Sequence, residues 1–196
     1  MPSGRTHDRI TLWCLPLVAA LAFGQTKSSN LTLLVSGSYL FGGLMFGPDL
    51  DIYSCQYQRW GWFRSIWLPY QKSLHHRSFL SHGPLIGTAL RVLYLATWLA
   101  VLGTIGLAIA EKVGNFGWNW QQATVNYGRS IWEHRTELFA VYVGLELGAM
   151  SHYLSDWSGS AYKKFKKQGL SGLHPRSTIK RRRRKPASRT STKSKK

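Results

Sequence analysis

The stretch LIGTALRVLYLATWLAVLGTIGLAIA, residues 85–110, carries a single charged residue, Arg91, close to its start. As a helix rising about 1.5 Å per residue it outreaches a hydrocarbon core of about 30 Å. An arginine in mid-bilayer costs about 2.5–3.5 kcal/mol on insertion scales, but one near the edge can snorkel to the headgroups. This segment sets the expectation for the whole chain: an all-α, membrane-embedded helical bundle.

Three further apolar runs lie outward from it. Ile10–Phe23 is short and interrupted by Pro16; Leu31–Phe46 is rich in Gly and Ser; Ile131–Leu154 is less apolar and carries Glu133, His134, Arg135, Glu137 and Glu146. The bundle is therefore expected to have about four apolar helices. The two short runs would cross as a pair or form a buried hairpin, with Gly37, Ser38, Gly42 and Gly43 letting them approach closely. Nine Trp and nine Tyr suit interfacial aromatic belts, and the aromatic segment 48–83 is expected to lie at headgroup depth. Ile10–Gly24 has the outline of a leader, but the next apolar run follows almost at once, which argues against cleavage. Cys14 and Cys55 give no disulfide framework.

The formal charge of +18 is unevenly placed. Residues 161–196 hold fifteen of the 26 Lys and Arg and no acid, which reads as a disordered basic tail after a helical membrane domain of residues 1–160. If all four runs cross, Arg5, Arg9, Arg59, Arg64, Lys72, Arg77 and the tail share one side, and Lys27, Lys112, Arg129 and Arg135 the other. The positive-inside rule makes the first side cytoplasmic, in an inner or plasma membrane. Membrane lipids are the expected partners. The tail adds an expected affinity for anionic headgroups or nucleic acid, salt-sensitive and unspecific because no aromatics interleave its charges. No specific protein partner is implied.

Only eight acids and seven histidines occur, and most cluster at the ends of the apolar runs. His7-Asp8 precedes the first; Pro48-Asp49-Leu50-Asp51 follows the second; His75-His76-Arg77 and Ser81-His82-Gly83 bracket the entry to the third; His152-x-x-x-Asp156 ends the fourth. The topology drawn from Lys and Arg alone puts all of them on the cytoplasmic face. Mixed imidazole and carboxylate donors suit Zn, Mn or Fe. Each group also has a plainer reading. Asp49 and Asp51 fit a solvated turn, although carboxylates at a helix C-terminus oppose its dipole and a cation would relieve that. His152 and Asp156, four apart on one helix face, fit a simple hydrogen bond. Asp8 fits a helix cap with Thr6. Arg77 fits an anionic substrate or a lipid headgroup. Glu146, inside an apolar run, fits a supporting role beside the site or a pairing with Arg91.

Gly4-Arg5-Thr6-His7-Asp8, Gly47-Pro48-Asp49-Leu50-Asp51, Trp60-Gly61-Trp62, Trp67-Leu68-Pro69-Tyr70, His75-His76-Arg77-Ser78, Ser81-His82-Gly83-Pro84 and His152-Tyr153-Leu154-Ser155-Asp156 follow one another in an order that resembles a bacterial family of metal-binding membrane proteins of unknown function. More distantly the pattern is similar to inner-membrane metal-dependent hydrolases under SOS control. The resemblance covers about residues 4–157. It implies a divalent metal held by His7, Asp49 or Asp51, His76, His82, His152 and Asp156. Arg77 would then orient a phosphoester or lipid-like substrate, with Asp8, Ser81 and Glu146 in support. The alternative is a non-catalytic protein whose His/Asp cluster only stabilises the bundle.

Overall fold

A computed structural model of the chain describes residues 4–74, 78–114 and 119–168, without the side chains of Asp156, Ser160, Lys163, Lys164, Lys167 and Gln168. The architecture below is that of the unit Met1–Ser160. The expected His76 and Arg77 lie outside the described residues, as does Asp156 beyond its backbone.

The described residues are helical, with no strand among them. Helix α1, Gly4–Thr26, turns at Lys27 (φ 52°) into α2, Ser29–Leu44, whose N-cap Ser28 accepts a hydrogen bond from the Leu31 amide. The two pack side by side as a hairpin. A 3-10 turn, Pro48–Asp51, and short helix α3, Cys55–Gln58, come next. A second 3-10 segment, Gly61–Trp67, leads into α4, Leu68–Ser73. Then follow α5, Phe79–His82; α6, Ile86–Gly114; α7, Trp120–Glu133; and α8, Arg135–Gln168.

Helix α2 ends inside protein, so its last carbonyls need donors. The segment after it supplies three. Gln56 Nε2 donates to Gly43 O at 3.0 Å, Arg59 Nη1 to Leu44 O at 2.7 Å and Trp60 Nε1 to Met45 O at 2.9 Å. These bonds fold residues 48–60 back onto the helix end and fix where the Pro48–Asp51 turn sits.

The core lies under this turn. Phe46, Leu50, Tyr57, Trp67, Tyr70 and Leu145 form one buried cluster, flanked by Trp60, Leu90, Tyr94 and Val141. The rings of Phe46, Trp60, Trp67, Tyr70 and Tyr94 meet mostly edge-on or tilted, with centroids 5.1–6.5 Å apart. The sequence expectation that segment 48–83 lays its rings at headgroup depth is therefore corrected in part. Tyr57, Trp67 and Tyr70 are core residues, while Tyr53, Trp62 and Phe63 are exposed.

Helix α8 closes on α2 through glycine. A Cβ added at Gly144 would lie 1.9 Å from Ser38 Oγ and 2.4 Å from Val35 O; one at Gly148 would lie 2.4 Å from Tyr39 O and 2.6 Å from Gly43 N. On the other side, one at Gly42 would lie 2.6 Å from Leu145 O. Gly144 and Gly148 form a G-x-x-x-G face that lets the two backbones touch. Of the glycines expected to bring the two short runs together, Gly43 meets Thr11 of α1, Gly42 faces α8 instead, and Gly37 has nothing within 4 Å of an added Cβ.

Among the described residues two helices are long and apolar enough to cross a membrane, α1 and α6, with mean hydropathies of 1.2 and 2.1 over their most apolar stretch. The all-α expectation holds among the described residues, while the count of about four apolar helices is not shown. At 16 residues α2 is too short to span alone, and the fourth run divides at His134 into the end of α7 and the start of α8. In α6 only Gly87, Thr88 and Arg91 are buried, whereas Leu93, Leu99, Leu102, Ile105 and Ile109 are at least half exposed. Helix α8 runs to Gln168, into the stretch read as tail; residues 169–196 lie outside the described residues.

Candidate metal centre

Four separate pieces of chain bring their polar ends together. The first turn of α1 supplies His7, which is buried. Thr11, one turn on, donates to His7 O at 3.1 Å and meets Ser151 Oγ of α8 at 3.3 Å, so α1 is pinned to α8 at this level. A Cβ at Gly43 would strike Thr11 Oγ1 at 2.8 Å, so glycine there admits the pin.

The Pro48–Asp51 turn supplies two carboxylates. Ser54 Oγ donates to Asp49 O at 2.7 Å and accepts from Tyr57 N, tying the turn to α3. Gln71 Nε2 donates to Leu50 O and Ile52 O at 2.9 and 3.1 Å, and fully buried Leu50 anchors the turn from below. The Asp51 side chain is fully buried and that of Asp49 is a quarter exposed.

Helix α5 supplies His82. Ser78 caps it, accepting from Ser81 N, and Ser81 Oγ stands 2.8 Å from His82 Nδ1. Arg91, expected near a membrane edge with its head in water, is instead almost wholly buried. Its Nη1 donates to Ser81 O at 3.0 Å and its Nη2 to Thr88 Oγ1 at 2.9 Å, which holds α5 against α6.

Helix α8 supplies His152. Its ring stacks on that of His7 with centroids 4.0 Å apart and planes 20° apart. His152 Nε2 is 3.2 Å from Asp49 Oδ2; His82 Nε2 is 3.8 Å from Asp49 Oδ1; His82 Nδ1 is 3.5 Å from Asp51 Oδ2. Of the seven expected ligands, His7, Asp49, Asp51, His82 and His152 thus meet in one place. The backbone of Asp156 continues α8 one turn beyond His152.

The donor set fits a cation. Donors on one tetrahedral ion at about 2.0–2.2 Å stand about 3.3–3.6 Å apart. The His152–Asp49 and His82–Asp49 separations, 3.2 and 3.8 Å, lie either side of that figure, whereas the 3.5 Å approach of His82 to Asp51 is made by the ring's other nitrogen, which cannot serve the same ion. Among the described residues no group of three or more His, Cys, Asp or Glu side chains is placed to hold a metal ion. These side chains form a line, Asp51 to His82 to Asp49 to His152.

Beside this line is a cavity of about 140 Å³ bordered by His7, Asp8, Asp49, Gln56, Arg59 and His152. Asp8 pairs there with Arg59, Nη1 to Oδ1 at 2.9 Å and Nη2 to Oδ2 at 2.5 Å, and this bond holds the guanidinium pKa above its usual value. Asp8 is thus a strut between α1 and the end of α3, beside the histidines. Glu146, offered as a supporting residue or a partner of Arg91, lies within electrostatic reach of Arg91 and also fixes the entry to α6. Its Oε1 accepts from Leu85 N at 3.0 Å, while Tyr142 OH donates to Leu85 O at 2.9 Å. Both bonds restrain Leu85 at φ 63°, where the chain enters α6.

Sequence reading missed Arg59, Gln56, Thr11 and Ser155. Arg59 and Gln56 act through α2 carbonyls, which leave no motif. Ser155 had a signal: it follows His152 by three residues, one helical turn, inside the quoted His152–Asp156 string.

A family model described as "Uncharacterized metal-binding protein (DUF2227)" matches residues 2–166. An uncharacterized protein of Aquifex aeolicus (strain VF5) is 36% identical over 58 residues, which is 29% of this chain and 40% of that protein. The chain thus spans about two fifths of the length of that relative. No solved structure matches.

Proposed function

The chain belongs to the DUF2227 family of uncharacterized metal-binding proteins, and from that premise we propose that it is an integral membrane metalloprotein whose cation sits among His7, Asp49, Asp51, His82 and His152. The observation that carries this reading is the meeting of three imidazoles and two carboxylates from four chain segments in one place. His76 and Asp156 complete the proposed ligands, and Zn, Mn or Fe suits such N/O donors.

The membrane placement is supported by α6. Its exposed leucines and isoleucines would each forfeit about 25 cal/mol per Å² in water and lose nothing in lipid. His7 precedes most of α1 and His82 precedes α6, so the centre lies at the same end of both apolar helices, the end read as cytoplasmic.

The proposed activity is metal-dependent hydrolysis of a phosphoester or lipid-like substrate. A divalent ion bound here would act as a Lewis acid toward a phosphoryl or acyl oxygen. The chain's own part is to hold the imidazoles and carboxylates, to exclude water by burying Asp51 and His152, and to offer Arg77 to an anionic group. The likeness to inner-membrane hydrolases under SOS control belongs with this proposal, as do the tail's contacts with anionic lipid or nucleic acid.

A second reading has its own support. His7, Thr11, Ser151 and Ser155 tie α1 to α8, so the same cluster serves as a clamp. Detergent-purified protein, tested with bis-p-nitrophenyl phosphate before and after chelation, separates the two. Turnover that disappears with the metal and returns on reloading supports the hydrolase. Metal removal that lowers thermal stability while no turnover is seen in either state supports the clamp.

A further inference from the structure

Ser155 is buried on α8, one turn beyond His152, and its hydroxyl faces two groups. Its Oγ stands 2.8 Å from His152 O and makes a short contact with His7 Nδ1. A hydroxyl has one proton. The carbonyl can only accept, so the 2.8 Å bond exists only if Ser155 gives its proton there. The contact to His7 must then run the other way, with Nδ1–H donating to Oγ. In a neutral imidazole that leaves Nε2 with the lone pair.

We propose that Ser155 is a positioning residue that fixes His7 in its Nδ1–H tautomer, so that Nε2 is the nitrogen His7 offers to a cation. The inference rests on the metal reading above and assigns a residue that the sequence motifs do not. Metal-ligating histidines ordinarily give their second ring N–H to an oxygen of the protein, which sets both tautomer and ring orientation.

His82 is arranged in the same sense on a different element. Its Nδ1 stands 2.8 Å from Ser81 Oγ and 3.5 Å from Asp51 Oδ2, both oxygens able to accept, while Nε2 is on the Asp49 side at 3.8 Å. Two histidines, one on α1 and one on α5, thus have Nδ1 turned to protein oxygen. The His7 ring that Ser155 meets at one edge is the one stacked on His152, at 4.0 Å.

The test has two arms. The first needs no variant: long-range ¹H–¹⁵N spectra of ¹⁵N-histidine-labelled, metal-free protein in detergent, with His7 assigned by its loss in His7→Gln. The expected result is Nδ1–H for His7; Nε2–H would overturn the proposal. The second arm measures Zn(II) and Mn(II) affinity by competition with a chromophoric chelator. Ser155→Ala is expected to weaken binding about 10–100-fold and Ser155→Thr to restore most of it. Affinity within twofold of wild type in Ser155→Ala would also overturn it. If His7→Gln and His82→Ala bind both ions as wild type does, the metal reading itself falls, while the tautomer spectrum still decides the role of Ser155.

Discussion

A single buried guanidinium does more here than the sequence suggests. Arg91 holds the Ser81 carbonyl and Thr88, and Ser81 in turn meets His82. Hydrogen bonds from a charged donor contribute about 1.5–3 kcal/mol each. We expect Arg91→Ala to lower thermal stability by several kcal/mol and to weaken cation binding, because α5 loses its tie to α6. Arg91→Lys, which keeps charge but not the two-pronged fork, should recover only part. Normal metal affinity in Arg91→Ala would show that His82 does not depend on this tie. Leu85 makes the opposite case. At φ 63° a leucine carries about 1–2 kcal/mol of backbone cost that glycine avoids, and its side chain is 58% exposed. Leu85→Gly should be neutral or stabilising in a thermal melt, and a loss above about 1 kcal/mol would mean the side chain is engaged.

At the scale of elements, the α2–α8 contact decides how closely the centre's two halves approach. A Cβ at Gly148 meets the backbone at Tyr39 O and Gly43 N, which no side-chain rotation can relieve. Gly148→Ala should therefore cost about 1–3 kcal/mol, in the range of core overpacking, and should move His152 away from Asp49. Gly37→Ala, with open space around it, should be neutral or stabilising by up to about 1 kcal/mol through helix propensity. Equal effects of the two substitutions in melting experiments would refute the close-contact account. The elements also show what the sequence made legible. The length and single charge of residues 85–110 marked α6, and the two carboxylates after Pro48 marked the C-terminal end of α2, because both depend on local chain physics. The burial of Trp67 and Tyr70 was not legible: an aromatic-rich loop reads alike whether its rings face lipid or one another, and only contact with Tyr94 and Phe46 settles which. The break at His134 had a sign in the polar stretch Glu133–Glu137, but such a stretch is as compatible with the exposed face of one continuous helix as with a stop.

At the scale of the molecule, the candidate ligands were legible because His and Asp are rare and recur at segment ends, whatever path the chain takes between them. Their partners were not. Ser155, Thr11, Gln56 and Arg59 are ordinary polar residues whose meaning comes from the α1–α8 crossing and the enclosed C-terminal end of α2. The membrane account makes its own prediction. Protein expressed in cells should stay with the membrane fraction through an alkaline carbonate wash, with and without residues 161–196; release by the wash would contradict the spanning reading of α1 and α6. The central claim is that imidazoles and carboxylates from four segments hold one cation, and X-ray absorption fine structure of metal-loaded, detergent-purified protein measures this most directly. The account predicts a nitrogen/oxygen shell at about 2.0–2.2 Å with the multiple-scattering pattern of imidazole, weakened in both His82→Ala and Asp49→Ala. A purified protein that takes up no metal, or a shell without imidazole that is the same in both variants, would contradict it.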